Sequence, residues 1–164
     1  MSDTPPVRAI LNLGAGNKII QGATNHDLHK HRPEIDVAHD LNILPWPWAD
    51  LSFDQIVASA VFEHLDNNLV ITLNECHRLL RPGGVVWLKL PLWSAERAHD
   101  DPTHRWFFTI RSLDQFCPKT RRGKQYGFYT PLKWRYVKGP RFNKAHTSLV
   151  VTLGVIKATL EAVK

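Results

Sequence analysis

Several residue types able to do chemistry recur along this chain at intervals that strands and loops can gather into one place. Gly14-Ala15-Gly16 directly follows the apolar run Ala9–Leu13. Glycines there let the backbone turn sharply and pass close to a ligand, because no Cβ intervenes. The same spacing also describes an ordinary structural turn. Asp27 comes next, and a carboxylate at that point can accept hydrogen bonds from two vicinal ribose hydroxyls. Asp40 follows with Leu41 beside it. The acid can accept from an exocyclic amine and the leucine can pack on a flat ring, although a loop aspartate also caps turns. Glycine turn, ribose acid and amine-reading acid, in that order, describe an adenosine pocket. A dinucleotide site fits less well: Gly16 to Asp27 falls short of the ~20 residues of that fingerprint. Lys18 stands where a third glycine would be, so a pyrophosphate cradled on a full helix N-terminus is not expected.

The chain has nine histidines. His26, His29, His31 and His39 crowd one stretch, but no His-Glu-x-x-His or paired-cysteine spacing accompanies them. They are expected at the surface or the pocket rim, and no metal site is expected. A metal-dependent hydrolase is accordingly the weakest reading of the chemistry. Glu63-His64 and His99-Asp100-Asp101-Pro102-Thr103-His104 place two more histidines after later strands.

These residues need elements to position them. Ala9–Leu13 reads as a buried strand ending at Gly14, with further strands ending near Asn25–Asp27 and spanning Ile35–His39. Pro45-Trp46-Pro47-Trp48 is a loop, since prolines continue neither a helix nor a central strand. Phe53–Ser59 is a fourth strand. Leu69, Leu73, Cys76 and Leu80 put one apolar face on a helix over Asn67–Leu80, which stops at Arg81-Pro82-Gly83-Gly84. Val85–Pro91 is near-continuously apolar and so central in a sheet. A short helix is predicted over Thr109–Phe116, then antiparallel strands over Trp134–Lys138 and Ser148–Ile156. The fold class is therefore α/β. An open, mostly parallel Rossmann-like sheet in a three-layer αβα arrangement is expected, with an antiparallel C-terminal strand pair and a shortened first crossover helix. In such sheets ligands sit at the C-terminal ends of the strands. Gly14–Gly16, Asp27, Asp40, Ser59–His64 and the segment after Pro91 all fall there.

Composition narrows the class. With 164 residues, 43% hydrophobic and 22% charged, the chain fits one folded domain and no collagen-like or disordered class. Within it, 1–7 is expected as a flexible lead-in, 8–117 as a cofactor-binding core and 118–164 as basic C-terminal strands. Its two cysteines, Cys76 and Cys117, make no disulfide scaffold. No apolar run approaches the ~18 residues of a membrane span, and the first residues lack a secretory pattern, so a cytoplasmic protein without membrane contact is expected. The net charge of +6 hides a division. Residues 111–164 carry twelve Lys/Arg against Asp114 and Glu161, a net of +10, and residues 1–110 carry −4. An anionic partner for the tail is one reading, a solvated face the other.

Read in order, Ile10–Asn17, Asp27, Ile35–Leu41, Leu51–Ile56, Phe62-Glu63-His64-Leu65, Leu79-Leu80-Arg81-Pro82-Gly83-Gly84 and Asp101-Pro102-Thr103-His104 resemble the class I S-adenosylmethionine-dependent methyltransferases. The likeness is to the small branch called methyltransferase type 11, over about residues 8–117. It implies that S-adenosyl-L-methionine is the cofactor. Gly14, Ala15 and Gly16 would line its methionine and ribose parts, Asp27 would hold the ribose hydroxyls with Leu28 packing beside them, and Asp40 and Leu41 would read the adenine. Ser59 would sit beneath the methionine moiety. His64 and His104 would come together over the methyl group, where a histidine suits the role of proton acceptor; alternatively they cap a helix and anchor a loop. Two positions depart from the family pattern. Asn12 replaces the usual acid and Lys18 the usual third glycine.

The function expected is methyl transfer to an unidentified acceptor, a small molecule or an exposed group on a macromolecule. The alternative is a non-catalytic module that binds the cofactor or nucleic acid, the latter through residues 119–144, where aromatic and basic residues interleave. Trp46, Trp48, Trp87, Trp93, Trp106, Phe107 and Phe108 either form a substrate-stacking wall or anchor the core and loops. An oligomer or a partner chain could complete the site.

Overall fold

The computed structural model describes residues 8–156. The expected lead-in, 1–7, and the last part of the basic region, 157–164, lie outside the described residues. The strands are β1 (Ile10–Leu13), β2 (Thr24–Asp27), β3 (Val37–Ala38), β4 (Phe53–Ser59), β5 (Leu80–Pro91), β6 (Lys133–Phe142) and β7 (Ser148–Ile156). They form one sheet in the order β3-β2-β1-β4-β5-β7-β6. β1 to β5 pair in parallel, and β7 and β6 close the sheet with antiparallel pairings. This is the expected Rossmann-like sheet with its antiparallel C-terminal pair. The strand order reverses beside β1, so the ends of β1 and β4 flank a crevice.

Helical cover on this sheet is thin. Among the described residues the α-helices are α1 (Leu69–Leu79) and the short α2 (Arg121–Tyr126). Asn68 caps α1, its side-chain oxygen accepting from the Ile71 amide at 3.1 Å. Leu73, Cys76 and Leu79 bury the helix's apolar face. They join Leu11, Leu13, Ile56, Val86, Leu88, Val151, Leu153 and Trp134 in one core. The helix passes directly into β5 at Leu80, so Arg81-Pro82-Gly83-Gly84 ends the helix as expected but belongs to the strand. Thr109–Phe116 is a turn with one 3-10 segment at Asp114–Phe116 rather than a helix.

The first crossover has no helix at all, only turns over 17–23. Side-chain amides do there what helical hydrogen bonds would do elsewhere. Buried Asn12 donates from Nδ2 to the Lys18 carbonyl at 2.8 Å and to Asn25 Oδ1 at 2.9 Å. Asn25 in turn accepts from the Ile20 amide at 3.0 Å and donates to the Ile20 carbonyl at 3.1 Å. Asn12 therefore welds the shortened loop in place, and its two amide protons are spent on that task.

Candidate functional site

The glycine turn after β1 holds both glycines in the left-handed region, Gly14 at φ +56° and Gly16 at φ +51°. Gly14 has a second constraint: a Cβ there would lie 2.5 Å from Val61 Cγ2. At Gly16 a Cβ would meet nothing within 4 Å. One glycine is thus needed by the fold, and the other leaves an open side. His26, on β2, fixes the turn from behind. Its Nδ1 accepts from the Gly14 amide at 3.4 Å and its Nε2 donates to the His39 carbonyl at 2.8 Å. The ring is 1% exposed, and burial holds its pKa below the ordinary histidine value. His26 is therefore a neutral core histidine and not the surface or rim residue expected from its neighbours, whereas His29 and His31 are exposed.

Asp27 sits at the end of β2 with both carboxylate oxygens engaged once. Oδ2 accepts from the Gly16 amide and Oδ1 from the Leu28 amide, each at 2.7 Å. A carboxylate has about four acceptor positions, so each oxygen retains one for a ligand. Asp40 makes the turn contact anticipated as its alternative role, Oδ1 accepting from the Asn42 amide at 2.9 Å, and it also faces a cavity. That cavity, of ≈ 430 Å³, is lined by Gly14, His26, Asp27, Leu28, His39, Asp40, Leu41, Val61, His64 and Leu65 among others. Leu28, Leu41, Val61 and Leu65 give it apolar walls between the acids. Its size lies within the range of small-molecule sites. Leu41 is held by the Pro45–Trp48 loop, where buried Trp46 donates from Nε1 to the Leu41 carbonyl at 2.9 Å.

A second cavity of ≈ 290 Å³ adjoins the first, sharing Ala60 and His64. Its lining includes Lys18, Ser59, Glu63, Lys89, Arg97, Asp101 and His104. Ala60, at the junction, has φ +59°, a conformation that costs a non-glycine residue roughly 1–2 kcal/mol. Such strain gathers where a chain must present side chains to a ligand. Lys18 reaches across from the glycine turn, its Nζ 3.1 Å from Ser59 Oγ.

The structure brings Gly14, Asp27, Leu28, Asp40, Leu41 and His64 together at the first cavity and Ser59, His64 and His104 at the second. Ala15 and Gly16 line neither. Ala15 is buried and donates its amide to the His26 carbonyl at 2.8 Å, and Gly16 acts through its bond to Asp27. His64 and His104 lie edge to face with ring centroids 4.7 Å apart. The helix-capping alternative for His64 is not what its ring does: Nδ1 bonds Thr103 Oγ1 at 2.8 Å. His104 does anchor its loop, Nδ1 bonding the Ala98 carbonyl at 2.9 Å. Burial and then the neighbouring His104 hold His64 below its ordinary pKa. Glu63 is 1% exposed, and burial pushes its carboxyl up to about 7. The aromatic residues divide: Trp46 and Phe108 are core, whereas Trp93, Trp106 and Phe107 are exposed near the second cavity's loop.

Comparison with known proteins agrees with this geometry. A family model described as a methyltransferase domain matches residues 18–88. A protein of Mycolicibacterium smegmatis, described as a probable S-adenosylmethionine-dependent methyltransferase, is 36% identical over 69 residues. That match covers 42% of this chain and 26% of the relative, so the chain answers to about a quarter of that protein's length. Among solved structures, a Haloferax volcanii chain in complex with the Trm112 methyltransferase activator aligns with TM-score 0.63 at 14% identity, covering 91% of this chain and 82% of that one. In sequence and in fold this chain is similar to S-adenosylmethionine-dependent methyltransferases. A Haemonchus contortus phosphoethanolamine N-methyltransferase, solved with phosphoethanolamine and S-adenosylhomocysteine, shares the fold at TM-score 0.67 and 13% identity, over 94% of this chain and 40% of that one.

The residues present fit the family's cofactor, S-adenosylmethionine. Asp27 keeps free acceptor positions, the first cavity combines apolar walls with Asp40, and Gly16 leaves an open approach. The methionine end differs from the family pattern. Asn12 is consumed in the crossover and offers no amide proton, while Lys18 and Ser59 meet at the second cavity. Glu63 and Thr103 are the functional candidates whose importance the spacing alone did not bring out.

Proposed function

We propose that this protein transfers the methyl group of S-adenosylmethionine to a nucleophile seated in the second cavity. The observation that carries the reading is the junction at Ala60 and His64, which joins the cavity lined by Asp27 and Asp40 to one lined by acid–base groups. When bound, the cofactor supplies an electrophilic methyl on a sulfonium. This chain's residues then hold, align and deprotonate. Asp27 accepts the ribose hydroxyls, Asp40 the adenine amine, and Leu28 and Leu41 pack the ring. Gly14, Ala15 and Gly16 form the turn that backs the ribose and methionine, and Ser59 lies beneath the latter. At the reacting end, His64 and His104 have their Nδ1 hydrogens committed to Thr103 and Ala98, so each keeps an Nε2 lone pair for an acceptor's proton. Alignment of the nucleophile supplies most of the rate and proton removal adds ~10²–10⁴-fold.

Lys18, Lys89 and Arg97 around the second cavity favour an acceptor carrying negative charge. If that acceptor is a macromolecule, the basic segment 119–144 is where its backbone would lie, and Arg135, Lys138 and Arg141 on β6 supply charge there. No helix among the described residues is long and apolar enough to cross a membrane, and we place the protein in the cytoplasm.

Titration calorimetry with S-adenosylhomocysteine tests the reading. One-site binding is expected, and Asp27→Ala removes charged hydrogen bonds worth about 1.5–3 kcal/mol each. His104→Ala leaves that binding intact and lowers turnover ~10²–10⁴-fold with an anionic acceptor. Absence of heat and of thermal stabilisation at millimolar cofactor would sink the proposal.

A further inference from the structure

We propose that Glu63, His64 and His104 form a binding site for one divalent first-row transition-metal ion at the floor of the second cavity. One ligand-capable atom from each of the three lies within 4.8 Å of the others, the separation a single ion can bridge. The set is two imidazoles and a carboxylate. That donor combination holds iron(II) and zinc and leaves coordination positions open to a further ligand.

Two independent features of the surroundings point to an ion. The first is Glu63 itself. Its side chain is 1% exposed, yet Oε2 is buried without any hydrogen-bond partner. A buried carboxylate oxygen with nothing to accept is costly to leave so, and a cation at the cluster would satisfy it. The second is the way both rings are oriented from behind. Thr103 Oγ1 donates to Asp101 Oδ1 at 2.7 Å, so its bond with His64 at 2.8 Å must be one in which the His64 Nδ1–H donates. The Ala98 carbonyl can only accept, so the His104 Nδ1–H donates as well. Both imidazoles are therefore fixed as tautomers whose Nε2 lone pairs are free. Metal-binding histidines show this arrangement, with the distal N–H given to a carboxylate-linked group or a backbone carbonyl. Asp101–Thr103–His64 and Ala98–His104 are positioning links of that kind. The ligands come from two loops at one sheet edge, 40 residues apart in the chain, which is why no local metal motif marks them.

Binding of the ion stands apart from methyl transfer, since neither cofactor nor acceptor is needed to observe it. Its consequence for the proposed reaction is specific. With an ion present the two histidines are ligands, and an acceptor hydroxyl bound at an open position loses its proton more readily.

The experiment uses the full chain stripped with a chelator and titrated with Co²⁺ as the probe, followed by its visible absorption and by calorimetry. One equivalent of Co²⁺ is expected, displaced by Zn²⁺. Glu63→Gln, which keeps the side-chain shape, and His104→Ala each weaken Co²⁺ binding at least ~10-fold, and Thr103→Val weakens it ~10–100-fold with a changed spectrum. His31→Ala, in the other histidine cluster, leaves the titration unchanged. Thermal unfolding of each variant separates loss of metal from loss of fold, and Glu63→Gln carries the test if His104→Ala fails to fold. Absence of Co²⁺ binding by the parent protein below millimolar concentration overturns the proposal. So does Co²⁺ affinity indifferent to Glu63→Gln, or abolished by His31→Ala.

Discussion

His26 and the pair His64–His104 occupy neighbouring stretches of one sheet edge, and both have a carboxylate beside them in sequence. At His26 both ring nitrogens are engaged, Nδ1 with the Gly14 amide and Nε2 with the His39 carbonyl, and each oxygen of the adjoining Asp27 accepts one backbone amide. At His64 and His104 only Nδ1 is engaged, and the adjoining Glu63 keeps a buried oxygen without a partner. The same residue types thus build a closed network in one place and an open one in the other. A closed network shapes a pocket; an open one has bonding capacity left for what enters.

That contrast separates the effects of truncation. His26→Ala strands the Gly14 amide and the His39 carbonyl, each at about 1–3 kcal/mol, so a loss of about 2–5 kcal/mol in chemical denaturation is expected. His64→Ala removes a single hydrogen bond on a half-buried ring and costs about 0.5–1.5 kcal/mol. Equal losses would mean that the two regions do not differ as described.

Glu63→Gln should change stability in the opposite sense. In metal-stripped protein the buried carboxyl titrates near 7 against an ordinary value of 4.5. Its raised pKa means that stability is fully present below about pH 4.5 and is lost as pH rises through 7. Glutamine carries no charge to desolvate, so at pH 8 the variant is expected to exceed the parent by up to about 3 kcal/mol, and at pH 4 to match it. A destabilised variant at pH 8 would show that Glu63 has a partner in solution.

The glycine turn shows the same division within three residues. Gly14→Ala combines left-handed strain of roughly 1–2 kcal/mol with a Cβ 2.5 Å from Val61 Cγ2, an overpacking of about 1–3 kcal/mol. Gly16→Ala carries the strain alone, because nothing lies within 4 Å. A Val61→Ala background should recover the overpacking part for Gly14→Ala and nothing for Gly16→Ala. Similar thermal shifts for both single variants would contradict the geometry.

What could be read from the residues followed where periodicity was strong. Ser148–Ile156 matches β7 as expected because a near-continuous apolar run between two strands has one natural state. α2 was not anticipated. Arg121–Tyr126 has no apolar period and carries Gly123 at its centre, yet that glycine is what allows the helix to pack, since a Cβ would lie 1.9 Å from the Cys117 carbonyl oxygen. The adenosine side of the site was legible because Gly14, Asp27 and Asp40 each end a strand, and strand ends can be located from patterning. The burial of His26 was not, because it lies in a polar Thr-Asn-His-Asp strand whose partners are backbone atoms. The meeting of His64 and His104 was legible because both follow strands at one sheet edge, whereas the part of Glu63 and the orienting of the rings by Thr103 and Ala98 were not, since contacts between distant loops leave no trace in local spacing.

The closed network also predicts a pH response of its own. Burial keeps His26 neutral in the fold with a pKa below the ordinary 6.5. As pH falls through 6.5 the unfolded chain takes up this proton and the folded one does not, so stability is present above that value and declines below it. One proton bounds the slope at about 1.4 kcal/mol per pH unit. His64 and His77 are shifted the same way, so the parent's total decline reports all three. The contribution of His26 is isolated by comparing parent and His26→Gln between pH 7 and pH 5. The variant should lose less stability over that interval, by up to one proton's worth. Parallel curves would place a proton on His26 in the folded state, and the Gly14 amide could then no longer donate to its ring.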